Sequence, residues 1–291
     1  MNVILLKLLI MYITTYDNYK FGIVMDLLCS IKNVMIKNVK LPFSVYSSVT
    51  EQVLLNVPIV KPLLIVILNG EKKLGKDGEF ICSAGDFIFL SDSAAINMRN
   101  IPENNEYFSL LIEFNLQDFD TIHSKTINKN SFCMGKTTSM LEHCLQQFVD
   151  SSLWASEKIW SLRKREIIEV LCQMGHSDIL SMIGKSKVSS RVHDIFNKHE
   201  FNELSNEFIC EQLAMSESTL RRKLKSEGTT VQEIKDQARL GLGLHLLQTT
   251  HYPISLIADQ CGYQSQSRFT DRFKGRFGLT PSELRKTKMA D

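Results

Sequence analysis

The apolar residues between about residues 43 and 119 are spaced as short strands. Turn residues separate them at intervals typical of an antiparallel β-sandwich or small barrel. The first apolar segment is followed by Asn69-Gly70, a strong hairpin signal. The pattern therefore predicts an all-β unit containing the strands Leu63–Leu68, Phe80–Cys82, Phe87–Leu90 and Tyr107–Phe114.

The pattern becomes helical in the second half of the chain. Apolar residues recur at helical spacing between about 138 and 183, which predicts two or three helices there. Gly184–Ser190 is polar and has no periodicity, which predicts a linker, and short helices follow from Arg191. We expect three units: a β-rich unit over residues 1–136, a helical segment over 137–184 and a helical unit over 185–291.

A helix-turn-helix pattern spans residues 206–227. Ala214-Met215 is the predicted turn, and Ser216 is a natural N-cap for the helix that follows. Leu220 and Leu224 lie four residues apart, so they are expected on the buried side of that helix. Basic side chains then occupy its other faces.

A second, similar pattern spans residues 255–284. Gly262-Tyr263 is the predicted turn, and the second helix is predicted over Gln264–Lys274. Aromatic residues recur every four positions and predict an inward-facing seam of Phe269, Phe273 and Phe277.

An amphipathic segment, Thr230–Gln248, connects the two patterns. As a helix, its 19 residues form a rod of about 28 Å. Successive major-groove faces of B-DNA lie about 34 Å apart. The geometry therefore fits one chain that reads two adjacent major-groove segments.

Small polar residues at the start of a basic helix suit a major-groove reader. Hydroxyl groups reach base edges or phosphates, and Arg can donate two hydrogen bonds to guanine. The predicted DNA contacts of the first reading helix are Ser218, Thr219, Arg221, Arg222 and Lys225. Those of the second are Gln264, Ser265, Gln266, Arg268 and Arg272. Phosphate contacts should make binding salt-dependent, while base contacts set the sequence preference.

Three ordered segments carry a family resemblance: Arg239-Leu240 with Leu246-Leu247, Pro253-Ile254 through Gly262-Tyr263, and Gln266-Ser267 through Thr280-Pro281. With this spacing the last hundred or so residues closely resemble the DNA-binding domain of the AraC/XylS family of bacterial transcription regulators.

The chain departs from the family pattern at two places. Gly243, with Gly241 close by, stands where relatives carry a small helix former, which predicts a looser connecting helix. Asp271 stands where relatives often carry Arg, so that position is not expected to bind phosphate; Arg268 and Arg272 flank it and either take over or pair with it.

The resemblance implies an α+β protein. Its parts would be an N-terminal cupin-like β-barrel with a helical dimerisation segment, and a C-terminal all-α double helix-turn-helix domain of seven helices. It also implies a cytoplasmic activator that binds promoter DNA and recruits RNA polymerase. Three roles of the N-terminal unit stay open: it binds a small-molecule effector, binds a protein partner, or only forms a homodimer. We expect Trp154 and Trp160 in the helical core or the dimer interface rather than in contact with a ligand.

Composition and charge fit a globular protein but are not diagnostic of function. Hydrophobic residues make up 44% of the chain and the net charge is +2. Residues 185–291 hold 17 of the 34 Lys and Arg but 13 of the 32 Asp and Glu, so the excess of base lies in the helix-turn-helix unit. The seven cysteines are widely spaced and are expected to be reduced, buried thiols.

Other classes of protein lack their signatures here. The apolar run Val3–Ile13 is too short to span a bilayer, so we expect a strand or arm of the first unit, or codons upstream of a start at Met11 or Met25. No histidine lies between Phe43 and Phe119 to serve a cupin metal site. The chain also lacks a Gly-x-Ser-x-Gly elbow and the Pro-Cys-His-Arg site of the DNA-repair methyltransferase with a related DNA-binding module. We therefore expect no enzyme activity, no cofactor and no metal site.

Overall fold

A computed structural model describes residues 27–37, 39–91, 93–120, 132–183, 187–199, 201 and 204–288. The run Val3–Ile13 and the alternative starts at Met11 and Met25 lie outside these ranges. The described strands are β1 Ser44–Ser48, β2 Gln52–Ile59, β3 Leu63–Asn69, β4 Glu71–Leu74, β5 Phe80–Ser83, β6 Asp86–Leu90, β7 Ser93–Ile101, β8 Tyr107–Glu113 and β9 Phe132–Lys136. All four strand segments predicted from the sequence are therefore confirmed.

The strands form two antiparallel sheets, ordered β1-β8-β3-β6-β9 and β2-β7-β4-β5. β3 is apolar at every position but its last because both of its faces are covered. Leu64 and Val66 pack with helices on one side, and Ile65 and Ile67 pack with the second sheet on the other. The prediction of a hairpin at Asn69-Gly70 is wrong, since β3 and β4 belong to different sheets. Gly70, at φ +78°, instead turns a corner where a Cβ would lie 2.6 Å from the Ile101 carbonyl oxygen.

Helices cover the outer face of the five-stranded sheet. They comprise residues 27–35 (α1), α2 Ser139–Ser151, α3 Glu157–Leu171 and α4 Asp178–Met182, with a π-helical turn, Cys172–His176, between α3 and α4. The three helices between residues 138 and 183 agree with the sequence prediction. Their buried side chains, among them Leu145, Phe148 and Ile168, form one apolar cluster with the sheet.

Seven further helices follow among the described residues of the C-terminal part. They are α5 Val188–Lys198, α6 Asn206–Leu213, α7 Glu217–Ser226, α8 Val231–Thr249, α9 Ile254–Gln260, α10 Gln266–Phe277 and α11 Pro281–Lys286. The predicted linker ends earlier than expected, because Val188–Ser190 already belong to α5. The Glu227 carboxylate, remote in sequence, accepts the backbone N–H groups of Val188 at 2.9 Å and Ser189 at 2.8 Å and so caps the helix.

The central helix α8 is covered on several sides. The two sheets pack on each other and are called the barrel from here on. Ile234 and Ala238 pack with α5–α7, whereas Leu240, Leu244 and Leu247 join an apolar cluster made of barrel strands and α9–α11. The barrel and the C-terminal helices therefore share a core. Within the ranges that the structure describes, no helix is both long enough and apolar enough to cross a membrane.

Candidate DNA-binding interface

The first predicted reading helix, α7, presents Arg221, Arg222 and Lys225 on one exposed surface. Leu220 and Leu224 are buried beneath it, as predicted. Glu217 lies beside Arg221 and forms an i,i+4 ion pair with it at 3.2 Å. A shallow groove of about 440 Å³ is lined by Glu217, Ser218, Arg221, Arg222 and Lys225. The structure thus brings four of the five predicted contacts of this helix together.

The fifth predicted residue, Thr219, has a structural role at the start of α7. Ser216 is the N-cap, and its Oγ accepts the Thr219 backbone N–H at 3.3 Å and donates to the Thr219 hydroxyl oxygen at 3.0 Å. Thr219 is half-buried and lies outside the groove. The turn before it is Ala214-Met215 as predicted, with Ala214 in the left-handed region at φ +52°.

The second predicted reading helix, α10, begins two residues later than its sequence suggests. Ser265 is its N-cap and accepts the Arg268 N–H at 3.3 Å, so Gln264 and Ser265 lie before the helix. The predicted start is two residues too early because Ser265 is the N-cap, whose backbone is not helical, and the helix begins after it. The exposed residues at this end are Gln264, Ser265, Gln266, Ser267 and Arg268.

The aromatic seam of α10 is confirmed. Phe269, Phe273 and Phe277 are fully buried, and their successive ring centroids are 5.5 Å and 4.6 Å apart. Because this seam is buried, the opposite face of α10 is turned toward solvent.

Arg272 occupies a different position from the other predicted contacts. Its guanidinium donates to the Asp236 carboxylate of α8 at 2.5 Å. The neighbouring Asp271 was one possible partner for it by sequence, but the structure pairs Arg272 with Asp236. A DNA contact by Arg272 would require this ion pair to open.

The family departure at Gly243 has a packing explanation. A Cβ at Gly243 would lie 2.7 Å and 2.8 Å from two ring carbons of Phe269, whereas one at Gly241 would meet Pro58 at an ordinary 3.7 Å. Gly243 therefore allows α8 and α10 to approach closely. The sequence predicts a looser connecting helix at Gly243, but in the structure α8 and α10 are tightly packed at this glycine.

Arg239 ties the two helix-turn-helix units together. Its guanidinium lies 5.7 Å from the ring centroid of Phe201, which precedes α6, and 5.5 Å from that of Tyr263, in the turn before α10. Gly262 has φ +74°, and a Cβ there would lie 2.9 Å from the guanidinium. Cation–π contacts on both sides thus hold the second turn against α8.

The barrel packs on the part of the C-terminal unit away from the predicted reading ends. Asn56 of β2 donates to the Arg276 carbonyl at 3.2 Å, and Leu55 contacts Gly278, both at the end of α10. Val49 donates its N–H to the Thr287 carbonyl at 2.8 Å. The α7 groove and the start of α10 stay exposed with the barrel in place.

A buried chain of hydrogen bonds links the barrel core to the C-terminal helices. Lys72 donates to Asn100 Oδ1 at 2.5 Å, and Asn100 donates to Gln52 Oε1 at 2.9 Å. Gln52 Oε1 also accepts from Gln248 of α8 at 3.1 Å, while its amide donates to the Thr287 hydroxyl at 2.7 Å. All but Thr287 are almost completely buried, and desolvation lowers the pKa of Lys72 to about 7.

The sequence pattern does not predict the burial of Lys72. Glu71-Lys72-Lys73 has the composition of an exposed, charged strand, but alternation along β4 puts Lys72 on the same buried face as Leu74. The period of two was the only signal available, and four residues are too few to make it strong.

A cleft of about 770 Å³ lies where the barrel meets both helix-turn-helix units. Its walls come from β2, α5, α8 and α10, and its charged lining includes Glu227, Glu233, Asp236, Arg272 and Arg276. His193 also lines it; burial, aided by the charge of Lys61, lowers the pKa of this imidazole to about 4, so it is neutral at neutral pH.

Comparison with known proteins agrees with this geometry. The helix-turn-helix domain family matches residues 209–287. The chain is 30% identical over 232 residues to the HTH-type transcriptional regulator GadX of Escherichia coli O6:H1 (strain CFT073), covering 76% of this chain and 81% of GadX. The chain belongs to the AraC/XylS family. It is a DNA-binding transcription regulator of that family.

Other members and neighbours match different extents of this AraC/XylS chain. The HTH-type transcriptional regulator YdeO of Escherichia coli K12 is 36% identical over 103 residues, which cover 35% of this chain and 40% of YdeO. An apo ToxT variant from Vibrio cholerae superposes with a TM-score of 0.63 at 17% identity, covering 87% of this chain and 99% of ToxT. A ToxT structure with bound unsaturated fatty acid gives 0.59 at 17% identity, covering 87% and 98%. These structures share the fold of an antiparallel β domain followed by helix-turn-helix units, as the sequence predicted.

Proposed function

We propose that this AraC/XylS regulator is a cytoplasmic activator that reads promoter DNA with α7 and the start of α10 and recruits RNA polymerase. The observation that carries the proposal is the pair of exposed polar and basic helix starts, joined by the 19-residue helix α8. In this proposal the unit over 185–291 binds DNA, and residues 1–136 and 137–184 regulate it. Each reading helix would enter one major-groove segment.

The DNA contacts are tested by substitutions in the full chain. Genome-wide immunoprecipitation first defines the operator, and fluorescence anisotropy then measures affinity for it at several salt concentrations. Arg222→Ala and Arg268→Ala should each weaken specific binding, by about 1–3 kcal/mol where the lost contact is to a base. Lys158→Ala removes an exposed charge on α3 and serves as the control. Unchanged affinity in both arginine variants would refute the assignment.

Arg272 provides a second test of the reading surface. If its main partner is Asp236, Arg272→Ala should affect DNA affinity less than Arg268→Ala does. An equal or larger loss of affinity, with unchanged thermal stability, would place Arg272 on the DNA instead.

We further propose that a small polar effector binds the cleft between the barrel and the two helix-turn-helix units. A ligand there would touch β2, α5, α8 and α10 at once, and the volume of about 770 Å³ lies within the range of small-molecule sites. The lining carries both carboxylates and guanidinium groups, which suits a ligand with polar or charged ends. Binding would change how the two helix-turn-helix units sit against each other.

A thermal-shift screen with metabolites, fatty acids and bile salts tests this site, because a ligand that binds the folded state raises the melting temperature. Gly275 lines the cleft, and a Cβ there meets no atom within 4 Å. Gly275→Phe should therefore fill the cleft and abolish the shift, whereas Gly275→Ala should retain it. A ligand shift that survives Gly275→Phe would place the effector elsewhere, and no shift with any compound favours a protein partner.

Exposed large apolar side chains on α2, on α3 and in the turn between them favour homodimerisation through this part of the chain. Trp154 is 72% exposed, Leu162 57% and Met140 44%. Trp154 lies in the turn between α2 and α3, and large apolar side chains exposed in one region are a feature of protein-protein interfaces. Light scattering on the full chain should give the mass of a dimer, and Trp154→Ser with Leu162→Glu should reduce it to that of a monomer.

A further inference from the structure

Three side chains of metal-ligating type converge at the junction between the barrel and the helices that precede the DNA-binding unit. They are Cys133 of β9, His176 at the end of the π-helical turn, and Asp178 at the start of α4. Cys133 Sγ lies 3.2 Å from His176 Nδ1, and one ligand atom of each residue lies within 4.8 Å of the other two. No other such group of three occurs in the described ranges of the chain.

The donor set is that of a zinc site. Thiolate sulfur, imidazole nitrogen and carboxylate oxygen bind Zn²⁺ at about 2.0–2.3 Å, and three protein ligands leave the fourth tetrahedral position for water. Ligand atoms around such an ion are about 3.5 Å apart by the same geometry. Small side-chain rotations therefore suffice to close the group around an ion. Cys133 is buried, whereas His176 and Asp178 are half-buried, so the group can be reached from solvent.

The backbone holds His176 in this position. Gly175, at φ +93°, turns the chain within the π-helical segment, a kind of distortion often found at functional sites. The imidazole then packs against Gly135 of β9, where a Cβ would lie 2.7 Å from His176 Nε2. The ring of Phe87 packs against it in a T-shaped contact, with ring centroids 5.1 Å apart. With Nε2 against the strand, Nδ1 is the nitrogen directed at Cys133.

We propose that Cys133, His176 and Asp178 form a binding site for a divalent cation of the zinc class, with a fourth position open to water. On binding, the Cys133 thiol gives up its proton to solvent and its sulfur bonds to the metal. The ion would join β9 to the end of the π-helical turn and the start of α4. Helix α4 ends at Met182, six residues before α5 begins. The sequence predicts no metal site, because no histidine lies between Phe43 and Phe119 and isolated histidines in the helical half are more often surface or core residues than ligands; this proposal departs from that prediction.

Metal binding by the full-length protein tests the site directly. The protein is stripped by dialysis against a chelator and titrated with Zn²⁺ in competition with a chromogenic chelator. Wild type should bind one ion per chain and melt at a higher temperature with Zn²⁺. Cys133→Ser and Asp178→Asn should each lower the affinity at least tenfold and lose the Zn²⁺-dependent stabilisation. Cys144→Ser replaces a buried thiol of α2 outside the group and should behave like wild type.

Cobalt gives a second readout, and its first part needs only the wild-type protein. Co²⁺ bound by wild type should show the near-ultraviolet charge-transfer absorption of a thiolate ligand, and this absorption should be lost in Cys133→Ser, with circular dichroism verifying the fold. Failure of wild type to bind Zn²⁺ would overturn the proposal. So would a Co²⁺ spectrum without thiolate absorption, or affinity unchanged in both ligand variants, since Cys133, His176 and Asp178 would then be only a hydrogen-bonded cluster.

Discussion

The two glycines of α8 offer a matched test of how the helix-turn-helix units are packed. Gly241→Ala and Gly243→Ala make the same chemical change two residues apart in one helix. Each should gain about 1 kcal/mol of helix propensity, because alanine loses less backbone entropy than glycine. The unfolded chain is affected equally, so the difference between the variants isolates the folded-state contact at each position.

The structure predicts opposite outcomes at the two positions. At Gly241 the new methyl group meets Pro58 at 3.7 Å, so the unfolding free energy should rise by about 1 kcal/mol. At Gly243 it would lie 2.7 Å from Phe269, whose buried ring is held between Tyr263 and Phe273 at centroid distances of 5.4 Å and 5.5 Å. Overpacking of this kind costs about 1–3 kcal/mol. Gly243→Ala should therefore be less stable than Gly241→Ala by about 1–3 kcal/mol.

Urea unfolding followed by circular dichroism measures both free energies. DNA affinity measured in parallel should fall for Gly243→Ala alone, since a shift of Phe269 moves α10 relative to α8. Equal stabilisation by the two alanines would refute the close contact between α8 and Phe269. In a Phe269→Leu background, which removes the ring edge, the difference between the two alanine variants should shrink toward zero.

Three further predictions follow from buried or capping groups. The pKa of Lys72 is lowered from 10.5 to about 7, so between pH 7 and 10 the unfolded chain binds a proton that the folded chain does not. Stability should therefore rise with pH by up to about 1.4 kcal/mol per pH unit from this group, and urea unfolding of Lys72→Met should lack that increment. Arg239→Lys should lower the unfolding free energy by about 1 kcal/mol, because a compact ammonium cannot stack on two rings at once; thermal melting measures it. Glu227→Gln loses one of two acceptors that cap α5, and hydrogen exchange at the Val188 and Ser189 amides should accelerate while the barrel strands are unchanged.

Local features of the C-terminal unit could be predicted because short stretches of sequence determine them. Ser216 caps α7 through a hydroxyl three residues from the amide it binds, and the Phe269 seam follows from a repeat of four. Helix caps and helical periods operate within one or two turns of chain. Four of the five residues predicted on α7 therefore lie in one groove.

Contacts between segments distant in sequence were not predictable in the same way. The Asn69-Gly70 turn has a hairpin sequence but connects two sheets, because the next strand finds its partners in β5 and β7. Glu227 caps a helix that begins 39 residues earlier. Asp236, rather than the adjacent Asp271, pairs with Arg272 across the α8–α10 contact.

Local sequence patterns are enough to assign the class of protein: a helical unit with two helix-turn-helix patterns, basic reading helices and a β-rich partner unit. Periodicity and capping are properties of neighbouring residues, so they are present before the chain folds. Long-range packing buries Lys72 in a hydrogen-bonded path to Gln248 and brings Cys133, His176 and Asp178 together, and no local pattern predicts either arrangement. These arrangements depend on which distant segments pack together, and hydrophobic burial across the whole chain settles that packing.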